Sequence, residues 1–205
     1  MSIFDSKYRD KHVSARIARS HFRISQAIKN MLWDECKLKS LTPAQIQTLL
    51  FIRYIRPDSA TVNTLAKSLS STPATASVVL DALQKKNLVM RKRKEGDRRV
   101  VFLSLTYKGL NTIQKLEGLG NELQKIIEEL TVEEQEVLLS SLSKIERLLR
   151  EKGYALITET CLTCCYFRLN IHPGAEKPHY CRLFNIDMGR DEIYRECPEY
   201  HELQM

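Results

Sequence analysis

From Tyr8 to Lys37 apolar residues return at mostly helical spacings (Val13, Ile17, Ile24, Ala27, Ile28, Met31, Leu32) with arginine and lysine between them, which predicts one long amphipathic helix. Thr42-Pro43-Ala44-Gln45 then combines an N-cap hydroxyl, a proline at the first helical position and a glutamine placed to close a capping box. A second helix therefore starts there, and Pro57-Asp58 ends it. Thr61 opens a short third helix through Ser68, turning Leu65, Ala66 and Leu69 inward. Thr72-Pro73 opens a fourth, with Ala76, Val79, Leu80 and Leu83 on one face, closed by Asn87, a residue that tolerates the left-handed conformation. At Leu88 the period shortens. Residues 88–93 and 99–105 read as two strands joined by a turn over Lys94–Arg98 with Gly96 near its tip. Thr106 caps a long helix containing Leu110, Ile113, Leu116, Leu119, Leu123 and Ile127, and the second capping box, Thr131-Val132-Glu133-Glu134, starts a last helix running to about Gly153. Beyond Ile157 helical periodicity is lost.

This order of elements predicts a mainly α fold with a small β-hairpin wing: a winged helix-turn-helix with long flanking helices over residues 1–157, and a C-terminal metal-binding module over 158–205. Length agrees, since 205 residues suffice for one ordinary domain and a small extra unit. No apolar run approaches the roughly 20 residues that span a bilayer, and the N-terminus lacks a signal-peptide core. No membrane partner and a cytoplasmic location are expected.

Charge sharpens the picture. Of the formal +7, a net +6 falls between Lys85 and Arg99, where eight cations face only Glu95 and Asp97. A second helix of a helix-turn-helix enters the major groove. Its first turn here is small and polar, with Ser71, Thr72, Thr75 and Ser77 able to approach base edges closely or bond phosphate. Arg91, Arg93, Lys94, Arg98 and Arg99 on the ribbon would track phosphates and reach a narrow minor groove. The expected partner is double-stranded DNA. Thr72 and Thr75 also have an ordinary reading as helix caps.

Asp97-Arg98-Arg99, followed by Leu105-Thr106 and Gly109, resembles the wing signature of the multiple-antibiotic-resistance (MarR) regulators: Asp-x-Arg, a strand, then Leu-Thr-x-x-Gly. The resemblance extends from about residue 8 to 153. It implies a homodimer formed through the first long helix and the last two, on a pseudo-palindromic operator, with Arg98 as the wing-tip arginine and Arg99 paired to Asp97. It also implies a transcription regulator, a repressor, and not an enzyme. One position departs: Val78 stands where many members carry an arginine on the recognition helix.

Five of the six cysteines follow residue 160; Cys36 stands alone in a helical stretch. Cys161 and Cys164 have the two-residue gap that lets two thiolates share one ion, and Cys181 and Cys197 complete a four-sulfur shell. Thiolates select zinc or iron–sulfur clusters over hard cations. Four of them fit structural zinc. The Cys197-Pro198 step also occurs where cysteines hold clusters, so an iron–sulfur centre is the alternative. Cys165 is the spare thiol, and His172, His179 and His201 read as surface or outer-sphere residues. A tail with this chemistry is either a structural knot or a sensor of metal or redox state. The competing readings are a metalloenzyme, for which an open coordination position would be needed, and an RNA- or protein-binding winged helix.

Overall fold

The computed structural model describes residues 2–94, 97–115, 118, 120–154 and 158–203; the side chains of residues 34–39, 94 and 97–100 lie outside the description. The N-terminal helix is broken, not continuous: α1 (Ser6–Lys11) and α2 (Val13–Lys39) meet at His12, whose backbone is extended. Phe4 packs edge-on against Phe22 at 5.5 Å, and the Arg19 guanidinium lies 5.2 Å from the Phe4 ring. These contacts fold the first residues back onto α2, which an unbroken helix could not do.

α3 (Pro43–Tyr54) carries the predicted capping box, the Thr42 hydroxyl accepting from the Gln45 N–H and the Gln45 side chain accepting from the Thr42 N–H. α4 (Val62–Ser68) is capped by Thr61 and α5 (Pro73–Lys85) by Thr72. The tight turn between α4 and α5 uses a left-handed Ser70 and a bond from the Ser71 N–H to the Ala66 carbonyl. Asn87 is left-handed, as expected, at φ 56°. β1 (Val89–Lys94) and β2 (Asp97–Leu105) pair antiparallel up to Lys94 opposite Asp97, with a register shift after Arg93. The hairpin turn is thus shorter than the sequence predicts.

The core of this half is Ile46, Leu49, Leu65, Ala76, Leu80, Leu83 and Ile113, almost entirely buried, with Leu88, Val89 and Leu103 from the hairpin. Gly109 fixes how the hairpin meets the next helix. Thr106 donates its hydroxyl to the Asn87 carbonyl at 2.7 Å and accepts from the Gly109 N–H at 3.0 Å, which draws α6 (Tyr107–Gln114) onto β1. A Cβ at Gly109 would stand 2.1 Å from the Leu88 carbonyl oxygen. That explains the Leu-Thr-x-x-Gly pattern as packing. Gly109→Ala is expected to cost about 3 kcal/mol or more, because backbone has to move; urea unfolding with an unchanged midpoint would refute it.

The expected long helix after Thr106 is in two pieces, α6 and α7 (Asn121–Glu128), because Gly118 and a left-handed Gly120 (φ 95°) intervene; Leu116 and Leu119 lie outside the described residues. The predicted capping box at Thr131 and Glu134 starts α8 (Val132–Glu151), ended at left-handed Gly153. Neither α7 nor α8 buries a residue in the single chain. After residue 158 the chain forms three short antiparallel strands, β3 (Phe167–Arg168), β4 (His179–Cys181) and β5 (Ile186–Met188), with 3-10 turns at Cys161–Thr163 and Glu192–Tyr194. Its own small core joins Cys161, Cys181, Met188 and Ile193.

Candidate nucleic-acid interface and cysteine centre

On α5, Ala76, Leu80 and Leu83 face the core, which turns Ala74, Thr75, Val78 and Asp81 outward. Thr72 and Thr75 are exposed, whereas Ser71 and Ser77 are half-buried. The Thr72 hydroxyl accepts from the Thr75 N–H at 3.2 Å and lies 3.0 Å from the Thr75 hydroxyl, so it does act as the cap. The outward face also carries Val78, 69% exposed. Sequence reasoning treated Val78 only as a missing arginine; its place one helical turn from Thr75 is the signal that shows it as a surface residue.

On β1, Arg91 forms an ion pair with Asp81 of α5 at 2.9 Å. That bond ties wing to recognition helix, a positioning task the sequence did not assign to it. Lys92 and Arg93 are exposed, while the side chains of Lys94, Arg98 and Arg99 lie outside the described residues. The Arg91–Asp81 pair therefore sets Arg91 beside the outward face of α5 that carries Thr75 and Val78.

In the tail, Cys161, Cys164, Cys181 and Cys197 are all buried, at 5%, 8%, 7% and 7% exposure, while Cys165 is half-buried. A 3-10 turn places the first pair, the Cys164 N–H donating to the Cys161 carbonyl at 3.0 Å. Cys181 ends β4 opposite Phe167, and the Cys197 N–H bonds the Glu159 carbonyl at 2.9 Å. Three separate stretches of chain thus converge. The charges of Cys164 and Cys181 act on both Cys161 and Cys197. Burial, reinforced by Cys197 and opposed by Arg56, pushes the Cys161 thiol up to about 11; burial likewise raises that of Cys197, against a hydrogen bond from the Glu199 backbone. Among the described residues no three His, Cys, Asp or Glu side chains already stand in metal-holding geometry. The donor set itself, four buried sulfurs, suits a thiophilic ion.

The Cys165 N–H donates to the His201 carbonyl at 2.7 Å. His179 is buried, its Nδ1 accepting from the Asn170 N–H at 3.1 Å; His172 lies 3.5 Å from Asp187, and the His201 ring rests against Tyr166. Each histidine has a packing or hydrogen-bonding role.

The tail is fastened to the winged helix by residues the sequence did not single out. Glu196 lies in a parallel bridge with Ile55, its N–H donating to the Tyr54 carbonyl at 3.0 Å and its carbonyl accepting from the Arg56 N–H at 2.9 Å. Arg195 donates to the Arg53 carbonyl, and Arg150 of α8 donates to the Tyr200 carbonyl at 2.9 Å. No spacing rule picks out these arginines.

A tight helix-turn-helix followed by a cationic two-stranded ribbon defines a winged helix-turn-helix domain. Residues 41–101 match the model of the MarR family, and this part of the chain is a MarR-type domain. Over 84 residues the chain is 31% identical to the HTH-type transcriptional repressor MdtR of Bacillus subtilis, covering 41% of this chain and 53% of that protein. It is 26% identical over 91 residues to the uncharacterized HTH-type transcriptional regulator YwhA of the same organism, covering 44% of this chain and 66% of that one. The chain thus spans about half to two thirds of the length of these curated relatives. Among solved structures, the S. aureus MepR–DNA complex superposes with a TM-score of 0.57 at 26% identity, covering 64% of this chain and 97% of that one. MepR in its DNA-binding conformation gives 0.58 at the same identity, covering 65% and 98%. The relatives and solved structures that the chain matches are transcription regulators. Among the described residues no helix is long and apolar enough to cross a membrane.

Proposed function

We propose that this chain is a homodimeric transcription repressor that binds a pseudo-palindromic DNA duplex through α5 and the β1–β2 wing, and that its tail binds one zinc ion through Cys161, Cys164, Cys181 and Cys197. The observation that carries the first part is the exposed Thr72–Thr75–Val78 face of α5, tied to β1 through the Arg91–Asp81 pair, on a domain that superposes on MepR in its DNA complex. Hydroxyls at the helix start suit phosphate or base edges, and Val78 in the arginine's place suits a thymine methyl group. Burial of four sulfurs from three stretches of chain supports the second part.

Selection from a random duplex library is the direct test. Enriched sites are expected to contain inverted half-sites whose centres lie about one helical turn, 34–36 Å, apart. No enrichment, or preference for RNA, would favour the RNA- or protein-binding alternative. On an enriched site, Arg98→Ala is expected to weaken binding and to lower the slope of log affinity against log salt by about one, since one cation near the backbone is lost. An unchanged slope would remove Arg98 from the interface.

A further inference from the structure

The Arg56 side chain, just past the end of α3, is only 8% exposed. Its Nε and Nη2 donate to the Asp58 carboxylate at 3.2 and 2.9 Å, and the Phe184 ring of the tail lies 4.9 Å from the guanidinium carbon. Nη1 is buried and has no hydrogen-bond partner. A buried charged donor left unpaired is costly, and Asp58, itself 53% exposed, supplies only one negative charge from the solvent side. Cys197 and Cys161 also act on the guanidinium, as does the exposed carboxylate of Glu192. Four thiolates around one divalent ion carry a net charge of minus two, so a loaded centre would place an anion beside the buried cation.

We propose that Arg56, a residue of the winged-helix half, is the outer-sphere cation of the four-cysteine centre, so that metal occupancy of the tail is coupled to the turn that leads into the helix-turn-helix. The inference rests on the metal reading above. Arg56 is a positioning residue; it attracts the loaded centre and does not ligate the ion. The same residue anchors the connection. Its N–H holds Glu196, next to Cys197, and its carbonyl accepts from the Ser59 N–H at 2.9 Å. Ala60, four residues on, accepts from the Leu103 N–H of β2 at 2.7 Å, and Thr61 caps α4. Metal, tail, wing base and first helix of the motif thus meet within the six residues from Arg56 to Thr61. Coupling of this kind is reciprocal, so whatever steadies that turn also tightens the metal site.

The test is zinc affinity, measured by competition with a chromophoric chelator on the reduced full-length chain, for wild type, Arg56→Gln and Arg56→Lys. Melting of the zinc-stripped proteins and amide exchange over residues 54–61 and 196–197 are followed in parallel. Arg56→Gln is expected to lose about 10- to 100-fold in zinc affinity, the usual effect of an outer-sphere partner. Arg56→Lys, which keeps the charge but not the fork to Asp58, is expected to stay within a few-fold of wild type. Zinc removal from wild type should raise exchange at the Arg56 and Glu196 amides. Wild-type zinc affinity in Arg56→Gln overturns the inference and leaves the metal reading standing. Equal zinc losses in both variants, matched by equal losses of melting temperature in the stripped proteins, also overturn it, because the residue then acts through folding alone. A wild-type chain that takes up no zinc overturns the metal reading and this inference with it.

Discussion

Ile145→Glu is expected to convert the protein from dimer to monomer at micromolar concentration and to weaken operator binding by about 100- to 10,000-fold, the range over which linked binding exceeds single-site binding. The reason lies in α8. Leu138, Leu142, Ile145 and Leu149 recur at intervals of four, three and four residues and so form one stripe. In the single chain Leu138 is 36%, Ile145 37% and Leu149 39% exposed, and α8 buries nothing. A 20-residue helix that leaves such a stripe in water requires a cover. The exposed Val13, Ile17, Ile24 and Ile28 of α2 offer a matching apolar surface on a second copy. In a two-fold dimer each substitution occurs twice, so two carboxylates enter the apolar interface together. Ser140→Glu, on the opposite side of α8, should leave the dimer intact. Light scattering decides: a dimeric Ile145→Glu variant, or equal dissociation by both, removes α8 from the interface.

How much of this was legible in the sequence follows from which interactions are local. Capping boxes at Thr42–Gln45 and Thr131–Glu134 and the caps at Thr61, Thr72 and Thr106 satisfy backbone donors within three residues, so composition alone locates those helix starts. Left-handed Asn87 is local as well. The misses are tertiary or depend on glycine. The break at His12 arises because Phe4 packs on Phe22, eighteen residues along the chain, and apolar periodicity runs straight through it. Gly118 and Gly120 interrupt an apolar repeat that otherwise continues from Leu110 to Ile127, and the repeat outweighed them in the sequence reading.

The candidate site divides in the same way. Cysteine spacing is a short-range signal, and the four tail sulfurs it selects are buried, while the neighbouring Cys165 is half-buried. The contacts that seat the tail, Arg56 and Arg195 on one side and Arg150 on the other, span from 50 to 142 residues and have no local signature. Arg91 shows a related limit. Its place on a basic ribbon suggested DNA, but Asp81, ten residues earlier on α5, has already engaged it.

Serine substitution at Cys161, Cys164, Cys181 or Cys197 is expected to abolish metal binding and unfasten the tail, while Cys165→Ser keeps full occupancy. Cys164 and Cys165 are adjacent, so their side chains diverge: the turn from Cys161 buries the first, and the Cys165 backbone is committed to His201 with its thiol half-exposed. Cys161 and Cys181 pack with Met188 and Ile193, and of the adjacent pair only Cys164 is buried. On the proposed metal reading, an ion adds to an apolar core that is small for some 45 residues, and structural zinc in small peptides contributes about 10–16 kcal/mol. A buried cysteine with no metal to bind would cost only about 1 kcal/mol when its sulfur becomes oxygen, within the usual range for single substitutions. The two accounts therefore differ by an order of magnitude. Because burial holds the Cys161 thiol near 11, loading must expel protons, and affinity is expected to rise with pH across the neutral range. Metal analysis of anaerobically purified protein gives the occupancy, an absorption spectrum separates colourless zinc from a coloured iron–sulfur cluster, and limited proteolysis after residue 157 reports the tail. Full metal content in Cys181→Ser or Cys197→Ser, or loss confined to Cys165→Ser, would show that the ion sits on other ligands.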